Sequence, residues 1–236
     1  MQLVKLEHIT HAYGNHQVFE DLNLSFPKNK TTCLLGSSGS GKTTLLRLIA
    51  GLETPQKGKI ILNGQPVSSE QKMIVPPHKR KLGYIFQDLA LWPHMTVYEN
   101  MAFGLKQQGF SGAHERIVRM SKRFGLEAHW AKYPHQLSGG QQQLLALARA
   151  LVLEPKILLM DEPLANIDVK LKHDIIDLLL QLKKEVSIIY VTHDHREAFK
   201  LGDEIVVLNR GKIEAQGSPE DIKNSDNEYV RYFLEY

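Results

Sequence analysis

The sequence predicts an α/β fold with a mainly parallel sheet, an antiparallel β subdomain and an inserted helical subdomain. Three observations predict it. The short apolar runs "TTCLLG", "KILLMDEP" and "SIIYVTHD" lack strict alternation and stop abruptly at polar residues, as strands covered on both faces do. Segments with helical spacing fill the intervals, as crossover connections in a parallel sheet require. The amino-terminal "VKLEHITHAYGNHQVFEDLNLSFPKNK" and the later "GKIILNGQPV" instead alternate apolar and polar residues with Gly, Asn and Pro breaks, which suits antiparallel strands.

Taken in chain order, the amino-terminal strands come first, and "TTCLLG" then runs into "GSSGSGKTT". Gly36, Ser37, Ser38, Gly39, Ser40, Gly41, Lys42 and Thr43 match the phosphate-binding loop pattern in full, with a strand before it and the helix "GKTTLLRLIAGL" after it. This marks a P-loop nucleoside-triphosphate hydrolase core. Glycines let backbone amides turn toward phosphates, and the helix amino terminus adds partial positive charge. Lys42 is expected to contact the β and γ phosphates of a nucleotide, the Thr43 hydroxyl to ligate Mg²⁺, and Thr44 to belong to the nucleotide-binding turn. A plain Gly/Ser linker would have neither the Lys-Thr ending nor the flanking elements.

From about Asp88 to Leu153 no convincing buried strand appears, and several helical patterns do, including "HERIVRMSKRFGL". This stretch is expected to be a helical insertion, leaving residues 1–87 and 154–236 as the core of a single domain. Within it "LSGGQQQLLALARAL" puts a glycine pair at the mouth of a helix with no strand leading in.

"KILLMDEP" ends at Asp161 and Glu162. An aspartate at a strand end can hold a metal through water, and the adjacent glutamate can take a proton from a water attacking the γ phosphate. An acidic pair alone would be a solvated turn; the apolar run before it and the phosphate loop upstream favour the site. The helix "VKLKHDIIDLLLQLKKEV" follows, then "SIIYVTHD" ending at His193, then the helix "HREAFKLG". Ligands bind beyond the carboxyl ends of such strands, so Lys42, Asp161, Glu162 and His193 are expected at one rim. "HDH" at 193–195 lacks a third metal ligand at a conventional spacing.

Composition limits the alternatives. A chain of 236 residues with 42% apolar content can bury a full core. No apolar run approaches a membrane span, and "MQLVKLEHIT" has no secretion-signal plan, so a cytosolic chain is expected. The single cysteine, Cys33, lies in an apolar run and reads as a buried, inert thiol. With a net charge of +3 and no dense basic tract beyond "HKRK" at 78–81, charge gives nucleic-acid binding no support.

With these residues assembled, nearly the whole chain resembles the ATP-binding-cassette family of transport ATPases: "LSGGQ" at 137–141 matches the family signature, beside the phosphate loop and "LLMDEP". The resemblance implies a head-to-tail homodimer, in which Ser138, Gly139, Gly140 and Gln141 of one copy close over ATP held by the other. It also implies that Tyr13 stacks on adenine, that Gln87 joins the core to the helical insertion and senses Mg²⁺ and the attacking water, and that Asp168 crosses the dimer interface. "LALWPHMTVYENMAFGL" resembles the region that importers use to receive a helix of an integral membrane permease. The stretch "VPPHKRKLGYIFQDLALWPHMTV" looks most like cassettes serving iron, polyamines, sulfate, molybdate or related solutes. The function implied is an import ATPase at the cytoplasmic face of the membrane, with an external solute-binding protein in the same system. Relatives acting on nucleic acid or ribosomes add coiled coils, zinc sites or a second cassette that are missing here. Three positions depart from the family pattern: Leu144 stands where arginine is usual, Ala165 where serine is common, and His195 where glutamine is frequent. No regulatory domain is expected beyond "GSPEDIKNSDNEYVRYFLEY".

Overall fold

The computed structural model describes residues 2–165 and 167–235. Along the chain, β1 (Gln2–Tyr13), β2 (His16–Pro27) and β3 (Thr31–Leu35) lead into α1 (Lys42–Ala50), and β4 (Lys57–Leu62), β5 (Gln65–Ser69), β6 (Lys72–Met73) and β7 (Leu82–Ile85) follow. Three helices come next: α2 (Val97–Gln107), α3 (Ala113–Arg123) and α4 (Gly139–Leu151). The chain then alternates through β8 (Ile157–Asp161), α5 (Val169–Leu182), β9 (Ser187–Val191) and α6 (His195–Leu201), and ends with β10 (Glu204–Asn209), β11 (Lys212–Gly217), α7 (Pro219–Lys223) and α8 (Glu228–Glu235).

The strands form two sheets. One is antiparallel, in the order β2-β1-β4-β5-β6. The other runs β11-β10-β3-β9-β8-β7, parallel from β10 to β7 with β11 antiparallel at its edge. The three apolar runs are β3, β8 and β9, adjacent in the middle of the parallel sheet, and every residue in them is buried. Their continuous hydrophobicity follows from the two cores they serve. Cys33, Leu35, Leu158, Met160, Ile188 and Tyr190 pack with α2, α4 and α5, whereas Leu34, Ile157, Leu159, Ile189 and Val191 pack with α1 and the antiparallel sheet. Alternate residues along a strand point to opposite faces, so covering both faces removes the polar half of the pattern. Cys33 is fully buried and burial pushes its thiol pKa far up, in keeping with an inert thiol.

Three strands of the parallel sheet have no counterpart in the sequence reading. β7 is four residues long, and β10 and β11 lie in "EIVVLNRGKIEAQG", which ends at no chemically suggestive residue. Within the "HKRK" tract one side chain is structural. Arg80 is only 6% exposed and its guanidinium donates to the carbonyls of Val75, Leu48, Ile49 and Val67 and to Ser68 Oγ. It ties the carboxyl-terminal carbonyls of α1 to β5, where a cation complements the helix end. Burial pushes its pKa down to about 10.

Candidate functional site

The phosphate-loop pattern occupies the turn between β3 and α1. Gly36 and Ser40 are buried, while Ser37, Ser38 and Gly39 are exposed. Gly41 ends the loop at φ 106°, and a Cβ there would come within 2.8 Å of the Phe19 ring, so glycine is required both by backbone and by space. The helix that follows has no side-chain cap. Its first-turn N–H groups are therefore available to an anion. Lys42, 5% exposed, curls beneath the loop and donates to the Gly36 and Ser37 carbonyls at 2.8 and 2.9 Å. Burial lowers its pKa, and the nearby Glu162 and Asp161 carboxylates work against that shift.

Asp161 closes β8. It accepts from Thr43 Oγ1 at 2.9 Å and from the Tyr84 hydroxyl at 3.4 Å, and burial pushes its pKa up, with the Thr43 hydrogen bond opposing and Glu162 adding to the rise. Two hard oxygen donors thus lie side by side at the mouth of the phosphate loop. That donor set fits Mg²⁺, which takes one or two protein oxygens and completes its shell from phosphate and water. Glu162 sits in a left-handed conformation at φ 43°, an arrangement that costs about 1–2 kcal/mol for a residue with a side chain. Its N–H donates to the Val191 carbonyl at 3.0 Å, carrying the β8–β9 ladder one step further. Its carboxylate Oε2 lies 3.0 Å from Nδ1 of His193, just beyond β9.

The residues beside His193 are held by a buried network. Glu197 on α6, 4% exposed, accepts from the Tyr190 and Thr192 hydroxyls, each at 2.8 Å, and pairs with Lys172 of α5 at 2.6 Å. Thr192 Oγ1 in turn accepts from the Asp194 N–H. Fully satisfied buried polar groups of this kind rigidify their surroundings. Asp168 caps α5, accepting from the Leu171 N–H at 3.0 Å, one turn from Lys172.

Two clefts lie over these groups. The first, of about 710 Å³, is lined by Tyr13, His16 and Val18, by the loop and first turn of α1 including Lys42, Thr43 and Thr44, and by Gln87, Glu162 and His193. The second, of about 390 Å³, is lined by Ser138, Gly139 and Gly140 together with Ala165 and Asp168, and it too includes Gln87 and Glu162. The four rim residues expected from the sequence, Lys42, Asp161, Glu162 and His193, do converge, and Tyr13 and Gln87 join them. The signature turn does not line the cleft that holds Lys42. Gln141 lines neither cleft; its side chain accepts from the Ser138 N–H, and its amide nitrogen lies 3.0 Å from His129 Nε2.

The departures from the family pattern also have places. Leu144 is half-buried and packs against the core beside the helices, so an apolar contact stands where a charge would have been. Arg149 donates to the carbonyls of Leu89 and Ala90 at 2.7 and 2.6 Å, and both residues have left-handed backbones. Its guanidinium also lies 4.8 Å from the Trp92 ring centroid. This clasp holds the loop that follows Gln87. Neither it nor Tyr84 nor the Glu197 network carries a local sequence signal, since each depends on partners far away in the chain.

The family model described as ABC transporter matches residues 19–165. The chain is 43% identical over 223 residues to the Fe(3+) ions import ATP-binding protein FbpC 1 of Pectobacterium atrosepticum, covering 93% of this chain and 62% of that protein. It is 43% identical over 237 residues to the spermidine/putrescine import ATP-binding protein PotA of Acetivibrio thermocellus, covering 98% of this chain and 66% of that protein. It therefore spans somewhat less than two thirds of the length of these relatives. Among solved structures, cbiO1 from Clostridium perfringens, part of the ABC transporter complex cbiONQ, superposes with a TM-score of 0.84 at 29% identity, covering 99% of this chain and 95% of that one.

Proposed function

Because the chain belongs to the ABC transporter family, we propose that it is the ATP-binding and ATP-hydrolysing subunit of an import system, peripheral to the cytoplasmic face of a membrane and coupled to a separate integral permease. No helix among the described residues is long and apolar enough to cross a membrane. The observation that carries the reading is the convergence of the phosphate loop, Asp161, Glu162 and His193 at the carboxyl ends of β3, β8 and β9, with Glu162 and Gln87 shared between two clefts.

In this reading the uncapped start of α1 and Lys42 hold the β and γ phosphates, and Tyr13 supports the base. Thr43 and Asp161, with Gln87 across the cleft, hold Mg²⁺, which when bound neutralises phosphate charge. Glu162 takes the proton from the attacking water. His193 orients the Glu162 carboxylate through the 3.0 Å contact and reaches toward the γ phosphate.

A second copy completes the site head to tail. Supporting this, Ser138, Gly139, Gly140 and Asp168 line the second cleft rather than the one containing their own Lys42. Residues 88–153 form the helical signature subdomain in this account. The permease docks in a groove of about 980 Å³ whose lining includes Trp92, Phe103, Phe110 and Leu153, and apolar grooves of this kind receive helices. The reading includes an external solute-binding protein in the same system and a cargo from the iron, polyamine, sulfate or molybdate set; the printed names of relatives support the iron, polyamine and sulfate members of that set.

The test is the Glu162→Gln protein. It should bind ATP, dimerise in its presence and release phosphate at least about 100-fold more slowly than the parent, and capture from native membranes should bring a multi-span permease with it. Turnover near the parent rate would remove Glu162 as the base; capture of ribosomal proteins or nucleic acid without a permease would overturn the transport role.

A further inference from the structure

Tyr13, at the end of β1, is 44% exposed and lines the first cleft. A side chain at the tip of a hairpin and this open to solvent would ordinarily sample several orientations, and a mobile ring makes a poor stacking surface because ordering it costs entropy on binding. Its hydroxyl, however, is anchored. It donates to Glu53 Oε2 at 2.5 Å and lies 3.4 Å from Thr44 Oγ1. Both anchors belong to one helix and its exit. Thr44 is in the first turn of α1, beside Thr43 and Lys42. Glu53 follows Gly51, whose left-handed backbone at φ 79° ends the helix and turns the chain back, and the Leu52 and Glu53 N–H groups both donate to the Arg47 carbonyl of α1.

Glu53 is the centre of a small charged cluster. Its other oxygen is 3.5 Å from Arg47 Nη1. His11, two residues before Tyr13 on the same face of β1, packs edge-on against the Tyr13 ring at 5.1 Å and is 7% exposed. Its Nε2 lies 3.1 Å from the Glu53 carboxylate, yet neither ring nitrogen is aligned for a hydrogen bond. The imidazole therefore acts as a wall behind the tyrosine. Burial and the Glu53 carboxylate both push the Tyr13 pKa up, so the hydroxyl stays protonated and remains a donor.

Resting on the reading of this cleft as the ATP site, we infer that Glu53 is the positioning residue of the base platform. Its carboxylate holds Tyr13 in register with α1, the helix that carries the phosphate loop, so one rigid element sets the spacing between the base surface and the triphosphate groups. Glu53 touches no nucleotide atom in this account; it acts through the tyrosine. Its effect is confined to the base, and that property separates it from a residue that merely stabilises the fold.

The experiment compares binding of ATP and of inorganic tripolyphosphate, each with Mg²⁺, to the full chain. Base–aromatic stacking is strong enough that loosening the ring in Glu53→Ala should weaken ATP about fivefold while tripolyphosphate binding moves less than about twofold. Glu53→Gln retains a carbonyl acceptor for the Tyr13 hydroxyl and should stay near the parent. Tyr13→Phe should reproduce the loss, and Tyr13→Phe combined with Glu53→Ala should be no weaker than either alone. Unchanged ATP affinity in Glu53→Ala, where Tyr13→Ala weakens it, would overturn the inference, and so would an equal loss for both ligands. Unchanged ATP affinity in Tyr13→Ala would instead overturn the base platform itself, and the inference with it.

Discussion

The starts of α1 and α4 look alike in sequence, each a glycine-bearing turn opening a helix, yet they are built in opposite ways. Every helix start leaves four N–H groups without partners inside the helix. At α4 the chain supplies its own: Ser138 Oγ accepts from the Gln141 N–H, and the Gln141 side chain accepts from the Ser138 N–H, a reciprocal capping box. At α1 no side chain caps the turn, and Lys42 is buried beneath it with no carboxylate in hydrogen-bond contact. The first helix start is open to an anion within its own chain. The second has the Ser138 and Gln141 N–H groups satisfied by its own side chains, and its two glycines differ. A Cβ on Gly140 would meet Leu171 at 2.1 Å, whereas one on Gly139 would meet nothing within 4 Å among the described residues. The chain itself needs Gly140 small, whereas no described residue crowds Gly139.

The contrast can be broken most directly at the phosphate loop. Lys42→Ala should weaken ATP binding by at least about 30-fold, since charge-assisted contacts to phosphate are lost, whereas Ser138→Ala should leave the ATP affinity of the isolated chain within about twofold. Ser138→Ala should instead lower stability by about 1 kcal/mol through loss of the cap and reduce turnover of the dimer. Titration calorimetry and urea unfolding measure the two quantities, and equal losses of affinity in the two variants would erase the distinction.

A smaller effect sharpens it on the side of the open site. Asp161 has a folded pKa raised chiefly by burial, so the folded state binds more protons than the unfolded one between the ordinary and raised values. Its contribution to stability is most favourable below that window and declines as pH rises through it. Asp161→Asn, whose carbonyl still accepts from Thr43, should therefore melt about 2–4 °C higher than the parent at neutral pH. That advantage should vanish as pH falls below the ordinary carboxylate range, and Mg²⁺-dependent turnover should be lost. A melting temperature equal to the parent's at pH 7 would mean that the buried carboxylate carries no penalty.

The smallest effect concerns the signature glycines. Gly140→Ala should cost roughly 1 kcal/mol as Leu171 is displaced, while Gly139→Ala should be neutral or slightly stabilising in urea unfolding. The reverse order would place the crowded position incorrectly.

Much of the site could be read before any coordinates because its parts are local. A buried strand followed by a glycine loop and Lys42-Thr43, or by Asp161-Glu162, announces itself within ten residues, and all three such runs became neighbouring strands. β7 and β10 were not recognised because a four-residue strand carries too little periodicity and the run at 204–209 ends at no reactive side chain. The burial of Arg80 had no signal in the "HKRK" tract, because composition says nothing of the five acceptors that β5, α1 and Val75 bring to it. Glu53 gave no signal at all, forty residues from the tyrosine it holds.

By itself, then, the sequence determined which elements form and which chemical groups stand at their ends, since hydrophobic pattern and turn chemistry act over a few residues. Only the tertiary structure decided which of those groups meet. It set the left-handed turn that brings Glu162 to His193, the burial that raises the Asp161 pKa, and the assignment of Lys42 and the signature turn to separate clefts. The reason is physical: contact, desolvation and crowding depend on distances between segments far apart in the chain, and no local pattern encodes those distances.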